Sequence, residues 1–143
     1  MNRWRHGRAA GIAALALAAA AGRADATWSI VIVDTRTREI AVGSATCLTG
    51  FDLQANTPVV IVGVGGATAQ SAVDSDGVNR TIIRDGFLTG GSPESILAEL
   101  ALRDSSHQSR QYGMVDASGR ALTFTGSQAG AWAGGRTGKV GDL

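Results

Sequence analysis

Trp28 to Val33 reads W-S-I-V-I-V, a short and almost continuously apolar run that predicts a strand covered on both faces. Asp34-Thr35-Arg36-Thr37-Arg38-Glu39 is polar and turn-like. Ile40 to Leu48 then predicts a second strand with unlike faces: Ile40, Val42 and Leu48 on one side, the small Ala41, Gly43, Ala45 and Cys47 on the other. If the two strands form a tight hairpin with Asp34 opposite Glu39, antiparallel counting sets Thr27 opposite Thr46 and Ser29 opposite Ser44, give or take a residue.

Phe51 to Pro58 reads as a connection, and Val59 to Val64 as a further β-branched run ending in Gly63-Val64-Gly65-Gly66. Val78, Ile82, Ile83 and Phe87 recur at helical spacing, and Gly90-Gly91 stops that helix. Ser92-Pro93 opens a second helix as N-cap and first helical residue, with Ile96, Leu97, Leu100 and Ala101 along one side. The two helices are expected to form a layer over a sheet. Gln111 to Val115 and Ala121 to Phe124 are short strands joined by the turn Asp116-Ala117-Ser118-Gly119. Beyond them the chain is rich in Gly, Ala and Ser and carries no further element.

The first residues follow another pattern. Arg3, Arg5 and Arg8 precede an Ala/Leu core from Ala9 to Gly22 and the small-residue site Ala24-Asp25-Ala26, the plan of a secretory signal peptide over 1–26. Its core of about 14 residues is shorter than the roughly 20 needed to span a bilayer. The expectation is an exported protein, periplasmic or extracellular, that leaves the membrane once cut and consists of one domain, 27–143. Four of the 13 Lys and Arg and one of the 12 acids lie in 1–26, so the remainder carries 9 basic and 11 acidic side chains. That balance gives no reason to expect nucleic acid as a partner. A single cysteine cannot form an internal disulfide, so packing must hold the domain.

Cleavage after Ala26 would make Thr27 the first residue. A terminal threonine joins a hydroxyl to an α-amine of ordinary pKa about 7.7 to 8.0, and that amine can act as the base for its own hydroxyl. Ser44 and Thr46 would stand beside it as small polar supports, with room for a ligand. Other chemistries fare worse. After residue 26 His107 is the only histidine, so no metal site is expected, and a C-terminal cap or exposed loop is its plain reading. Cys47 sits among alanines and glycine and reads as inert and buried. The glycines at 63–66 lack the spacing of a phosphate loop and read as structural, and no cofactor is expected.

Several motifs in one order then carry a resemblance over nearly all of 27–143: T-W-S-I-V-I-V-D (Thr27 to Asp34), E-I-A-V-G-S-A-T-C-L (Glu39 to Leu48), G-V-G-G-A-T-A-Q-S (Gly63 to Ser71), R-Q-Y-G-M-V-D-A-S-G-R (Arg110 to Arg120) and T-F-T-G (Thr123 to Gly126). Together they resemble the domain-of-unknown-function family numbered 1028. The resemblance implies an α+β fold of the N-terminal-nucleophile hydrolase type, a four-layer αββα sandwich, with Thr27 at the family's first position and amide bonds as substrates. Some members carry a peptidoglycan-binding domain, which associates the family with cell-wall peptides. Two departures stand out. Threonine hydrolases of the proteasome type use a lysine near the nucleophile, whereas the only lysine here is Lys139, with Arg110 as a conceivable substitute. Members also continue past Trp132 to Gly138, so this chain reads as a C-terminally truncated, incomplete sandwich.

The reading is an exported amide hydrolase acting on a small-molecule or peptide amide. A non-catalytic secreted binding module of the same fold, or an inactive gene fragment, stays open beside it.

Overall fold

A computed structural model describes residues 27–143; the signal peptide expected over 1–26 lies outside the described residues. Strands β1 (Thr27–Val33) and β2 (Ile40–Thr46) form a two-stranded antiparallel sheet. The Asp34 carboxylate closes their turn by accepting the backbone N–H groups of Arg36 and Thr37, each at 2.8 Å. Thr27 stands opposite Thr46 and Ser29 opposite Ser44, the pairing that hairpin counting requires.

A second antiparallel sheet has the order β3 (Pro58–Ile61), β4 (Gly65–Ser71), β5 (Arg110–Asp116), β6 (Ala121–Thr125). Between the sheets in sequence lies a single-turn helix, α1 (Leu53–Asn56), capped by the Asp52 carboxylate, where a plain connection was expected. The β-branched run ends earlier than predicted, at Ile61, and the glycine-rich residues after it start β4. Helices α2 (Val78–Leu88) and α3 (Pro93–Arg103) fall where periodicity puts them. Ser92 Oγ accepts the N–H of Ser95 to cap α3, with Pro93 in its first turn.

Period-two alternation divides the four-stranded sheet into two environments. Ala67, Ala69, Tyr112 and Met114 face the helices and form the main core with Ile83, Phe87, Ile96 and Leu100. Gly66, Thr68 and Gln70 face the two-stranded sheet. Gly66 is small by necessity, because a Cβ there would meet Ile40 Cγ2 at 2.7 Å and Val31 Cγ1 at 3.0 Å. The architecture is thus an α+β sandwich of helices, a four-stranded sheet and a two-stranded sheet. Among the described residues helices cover one side only. Trp28, Ile30 and Ile32, at 59, 49 and 37 % exposure, show that β1 is covered on its inner face and not on both as its composition suggested.

The helix side is tied by one charge cluster. Asp104, just past α3, accepts from Arg110 Nε at 2.8 Å, from Asn79 Nδ2 at 2.7 Å and from the Ser106 N–H at 2.9 Å. Arg110 also donates to the Ala72 carbonyl. The hydrogen bond from Arg110, helped by those of Asn79 and Ser106, outweighs burial and holds the Asp104 carboxyl well below the usual carboxylate range. Because the folded state depresses this pKa, ionised Asp104 stabilises the fold above its unfolded value of about 3.9, and that contribution is lost progressively as pH falls. Asp104→Ala should cost about 3 kcal/mol at neutral pH by stranding the buried arginine. Urea titrations at a series of pH values should show the difference from wild type shrinking below about pH 4. A gap that does not change with pH would show that the ion pair contributes nothing.

Candidate active site

The inner face of β1 and β2 carries four hydroxyls in two successive inward-facing pairs: Thr27 and Thr46, then Ser29 and Ser44. Thr27 Oγ1 lies 2.9 Å from Thr46 Oγ1. Ser29 Oγ is hydrogen-bonded to Thr68 Oγ1 at 2.9 Å and to Gln70 Oε1 at 2.7 Å. An amide oxygen only accepts, so the one proton of Ser29 goes to Gln70, and Thr68 supplies its own. The other end of the same amide, Gln70 Nε2, donates to the Thr27 carbonyl at 3.2 Å. Gln70 therefore holds two successive inward-facing residues of β1 from across the sandwich. Ser44 Oγ is buried and makes no hydrogen bond among the described residues. All six side chains of this cluster are neutral, which suits recognition of an uncharged amide better than of an ion.

A cleft of about 580 Å³ opens beside the cluster. Its walls are Ser29–Val33 of β1, Ala121–Thr125 of β6 and the tail at 134–140. Thr27 is not part of the wall; Ser29, Thr68 and Gln70 connect it to the cleft. The tail is pinned where Gly135 lies against Thr123, too close for a Cβ, and where the Asp142 carbonyl accepts the Thr35 N–H at 2.8 Å.

The structure brings Thr27, Ser44 and Thr46 onto one face but places other candidates elsewhere. Arg110 is bonded to Asp104 on the helix side of β5, whereas its neighbour Gln111 shares the inner face with Gln70, so Arg110 does not stand in for a lysine at Thr27. His107 is buried rather than exposed or capping: its ring stacks on Phe124 with centroids 4.2 Å apart. Burial lowers its pKa and favours the neutral ring. Cys47 lies just past β2 and is exposed, not packed in a strand. Among the described residues no group of three or more His, Cys, Asp or Glu is placed to hold a metal ion. No helix among them is long and apolar enough to cross a membrane. Thr68 and Gln70 were not singled out from the sequence. The signal was present as Gly66, Thr68 and Gln70 alternating with Gly65, Ala67 and Ala69, but without a recognised strand the alternation had no face to define.

One family model, described as a family of unknown function (DUF1028), matches residues 27–141. The chain belongs to DUF1028. No curated protein and no solved structure matches it significantly. The DUF1028 match starts at Thr27, the residue that opens β1 and the hydroxyl cluster.

The cluster can be tested by removing its central amide. Gln70→Leu strips Ser29 Oγ of an acceptor and the Thr27 carbonyl of its donor, and should cost about 1 to 3 kcal/mol in urea denaturation. Exchange of the β1 amides should speed up selectively, with those of α2 and α3 changed only by the global loss. Equal stability and unchanged exchange would mean that Gln70 does not anchor the strand.

Proposed function

We propose that this DUF1028 chain is an exported amide-bond hydrolase in which Thr27, exposed by removal of 1–26, is both nucleophile and, through its α-amine, base. The single observation that supports this reading is the placement of Thr27: the first residue of the family match, its side chain on the inner face of an edge strand, its hydroxyl 2.9 Å from a second hydroxyl and its carbonyl held by Gln70. Under this reading the fold is the N-terminal-nucleophile type implied by the resemblance.

The chemistry follows from one residue. The free amine takes the proton of Thr27 Oγ1, and the oxygen attacks the amide carbon to form a tetrahedral oxyanion. The intermediate collapses by breaking the C–N bond, and the resulting ammonium returns its proton to the leaving amine. An ester on Thr27 remains. Water, deprotonated by the same amine, attacks the ester carbon and releases the acid, restoring the hydroxyl. Thr46, as partner of the attacking hydroxyl, fixes its direction, and the unbonded Ser44 hydroxyl is a donor within the same layer. A cell-wall peptide is the substrate class that the family association suggests. Retention of the fold as a non-catalytic binding module is the second reading, favoured by the commitment of Arg110 to Asp104.

Intact mass and N-terminal sequencing of the exported chain should give Thr27 as first residue. Such protein should add one β-lactone equivalent at Thr27, and Thr27→Ala should add none. Because the amine acts only when unprotonated, labelling should rise with pH through about 7.7 to 8.0, its ordinary pKa range. A start at Trp28, an uncut precursor, or equal labelling of Thr27→Ala would remove the enzyme reading.

A further inference from the structure

The two sheets do not overlap fully. β2 lies over β3 and β4, and β1 over β4 and β5, so among the described residues no strand of the smaller sheet lies over β6. β1 therefore presents an edge to the cleft. The hydrogen bond from the Asp34 N–H to the Glu39 carbonyl, 3.0 Å, sets the alternation of the ladder. Ile32–Ala41, Ile30–Gly43 and Trp28–Ala45 are then the pairs that exchange bonds. The N–H and C=O groups of Ser29, Val31 and Val33 point the other way, toward the cleft, and no hydrogen bond to them is found among the described residues.

From this geometry we infer that the cleft takes an extended peptide bearing a carboxylate, which adds to the open edge of β1 as a third strand. Four features fit that occupant. Edge groups on alternate residues match the backbone period of a strand and of no other ligand. The space, about 580 Å³, lies in the range of a built ligand site. Its floor on β6 is Ala121 and Thr125, which pair with the inner-facing Val115 and Gln111 on either side of the Thr123 that Gly135 covers, so small side chains leave depth for those of a guest. The charged residues on its walls are Arg136 and Lys139, both cationic and without an ion-pair partner among the described residues.

A second copy of this chain fits less well. A twofold axis normal to the sheets would pair β1 with β1, but each copy's four-stranded sheet continues beneath the open edge and would run into that of its partner. An unpaired edge is ordinarily blunted or covered, and the tail at 134–140 stands as the far wall of this one rather than pairing with it. The inference names the substrate class of the hydrolase proposed above and rests on that reading for cleavage, though not for binding.

The test is fluorescence anisotropy with a labelled, C-terminally amidated hexapeptide of alternating serine and valine that ends in aspartate, added to the chain as exported, with Thr27 first. Two further peptides carry N-methyl groups on alternate nitrogens, one in each register. Strand addition predicts that one methylated register binds at least about tenfold more weakly while the other stays within about twofold of the parent, since only one set of N–H groups faces β1. Arg136→Ala with Lys139→Ala should weaken the aspartate peptide about fivefold and leave its asparagine counterpart unchanged.

Equal binding of the two methylated peptides, or none at about 1 mM, a concentration that would reveal even the weakest specific site, overturns the inference. So does a dimer in sedimentation, or a longer form of the chain, in which the Ser29, Val31 and Val33 amides are already protected from exchange. Thr27→Ala separates the two proposals. If it binds the peptide as wild type does and wild type never cleaves it, strand addition stands and the hydrolase reading falls. If Thr27 takes the β-lactone label but no peptide binds, the reverse holds.

Discussion

The register of the β1–β2 hairpin is the constraint on which the rest of the molecule depends. In a strand the side-chain period is two, so a slip of one residue would turn Thr27, Ser29, Val31 and Val33 outward and bring Trp28, Ile30 and Ile32 against the larger sheet. The inner face has no room for those side chains, since Gly66 already meets Val31 and Ile40. Two local devices set the register. Asp34 accepts two backbone N–H groups of the turn, and its own N–H bonds to Glu39. A short polar turn, remote from the cluster, thereby decides whether four hydroxyls meet inside the sandwich or face away from it.

The two faces of the four-stranded sheet solve different problems. Toward the helices the sheet presents Ala67, Ala69, Tyr112 and Met114 to a closed apolar core, and the Asp104–Arg110 pair ties the helix ends to β5. This side holds the domain together by removing apolar surface from water. Toward the smaller sheet it presents Gly66, Thr68 and Gln70, which bring little apolar area and instead fix neighbours by hydrogen bonds. Such a layer stabilises only when each buried polar group finds a partner, and the unbonded Ser44 hydroxyl marks where that satisfaction is incomplete. Stability and candidate chemistry are thus placed on opposite faces of one sheet.

How far the amino-acid sequence reveals this depends on how local each signal is. The hairpin pairing was legible because Asp34 and Glu39 bracket a polar turn between an apolar run and a small-residue run of equal length. Both helices were legible from Ser92-Pro93 and from the spacing of Ile83 and Phe87. β4 was not, because G-G-A-T-A-Q-S has no β-branched apolar residue and alternates only small with polar side chains; its strand character comes from the neighbours on both edges, β3 and β5. Gln70 was hidden with it. His107 was misread for a related reason: its burial under Phe124 is set by β6, some seventeen positions away, and nothing adjacent announces it. Composition also misled for β1, since apolarity on both faces of a strand records what the strand would tolerate, not what covers it.

The proposed nucleophile and the proposed docking edge belong to the same strand, which couples them. The Gln70 amide bridges Thr27 and Ser29, so the start of β1 and the first edge position beside the cleft move as one unit. A strand that pairs with Ser29, Val31 and Val33 would order the backbone in the direction of Thr27 without touching its hydroxyl. Binding energy gathered along the edge would then be available to hold Thr27 against the amide, which is the way remote contacts raise the rate of a chemical step. A separate loop carrying the nucleophile could not be aligned so directly. Placing the hydroxyl at the head of an edge strand joins recognition to position through two residues and one side-chain amide.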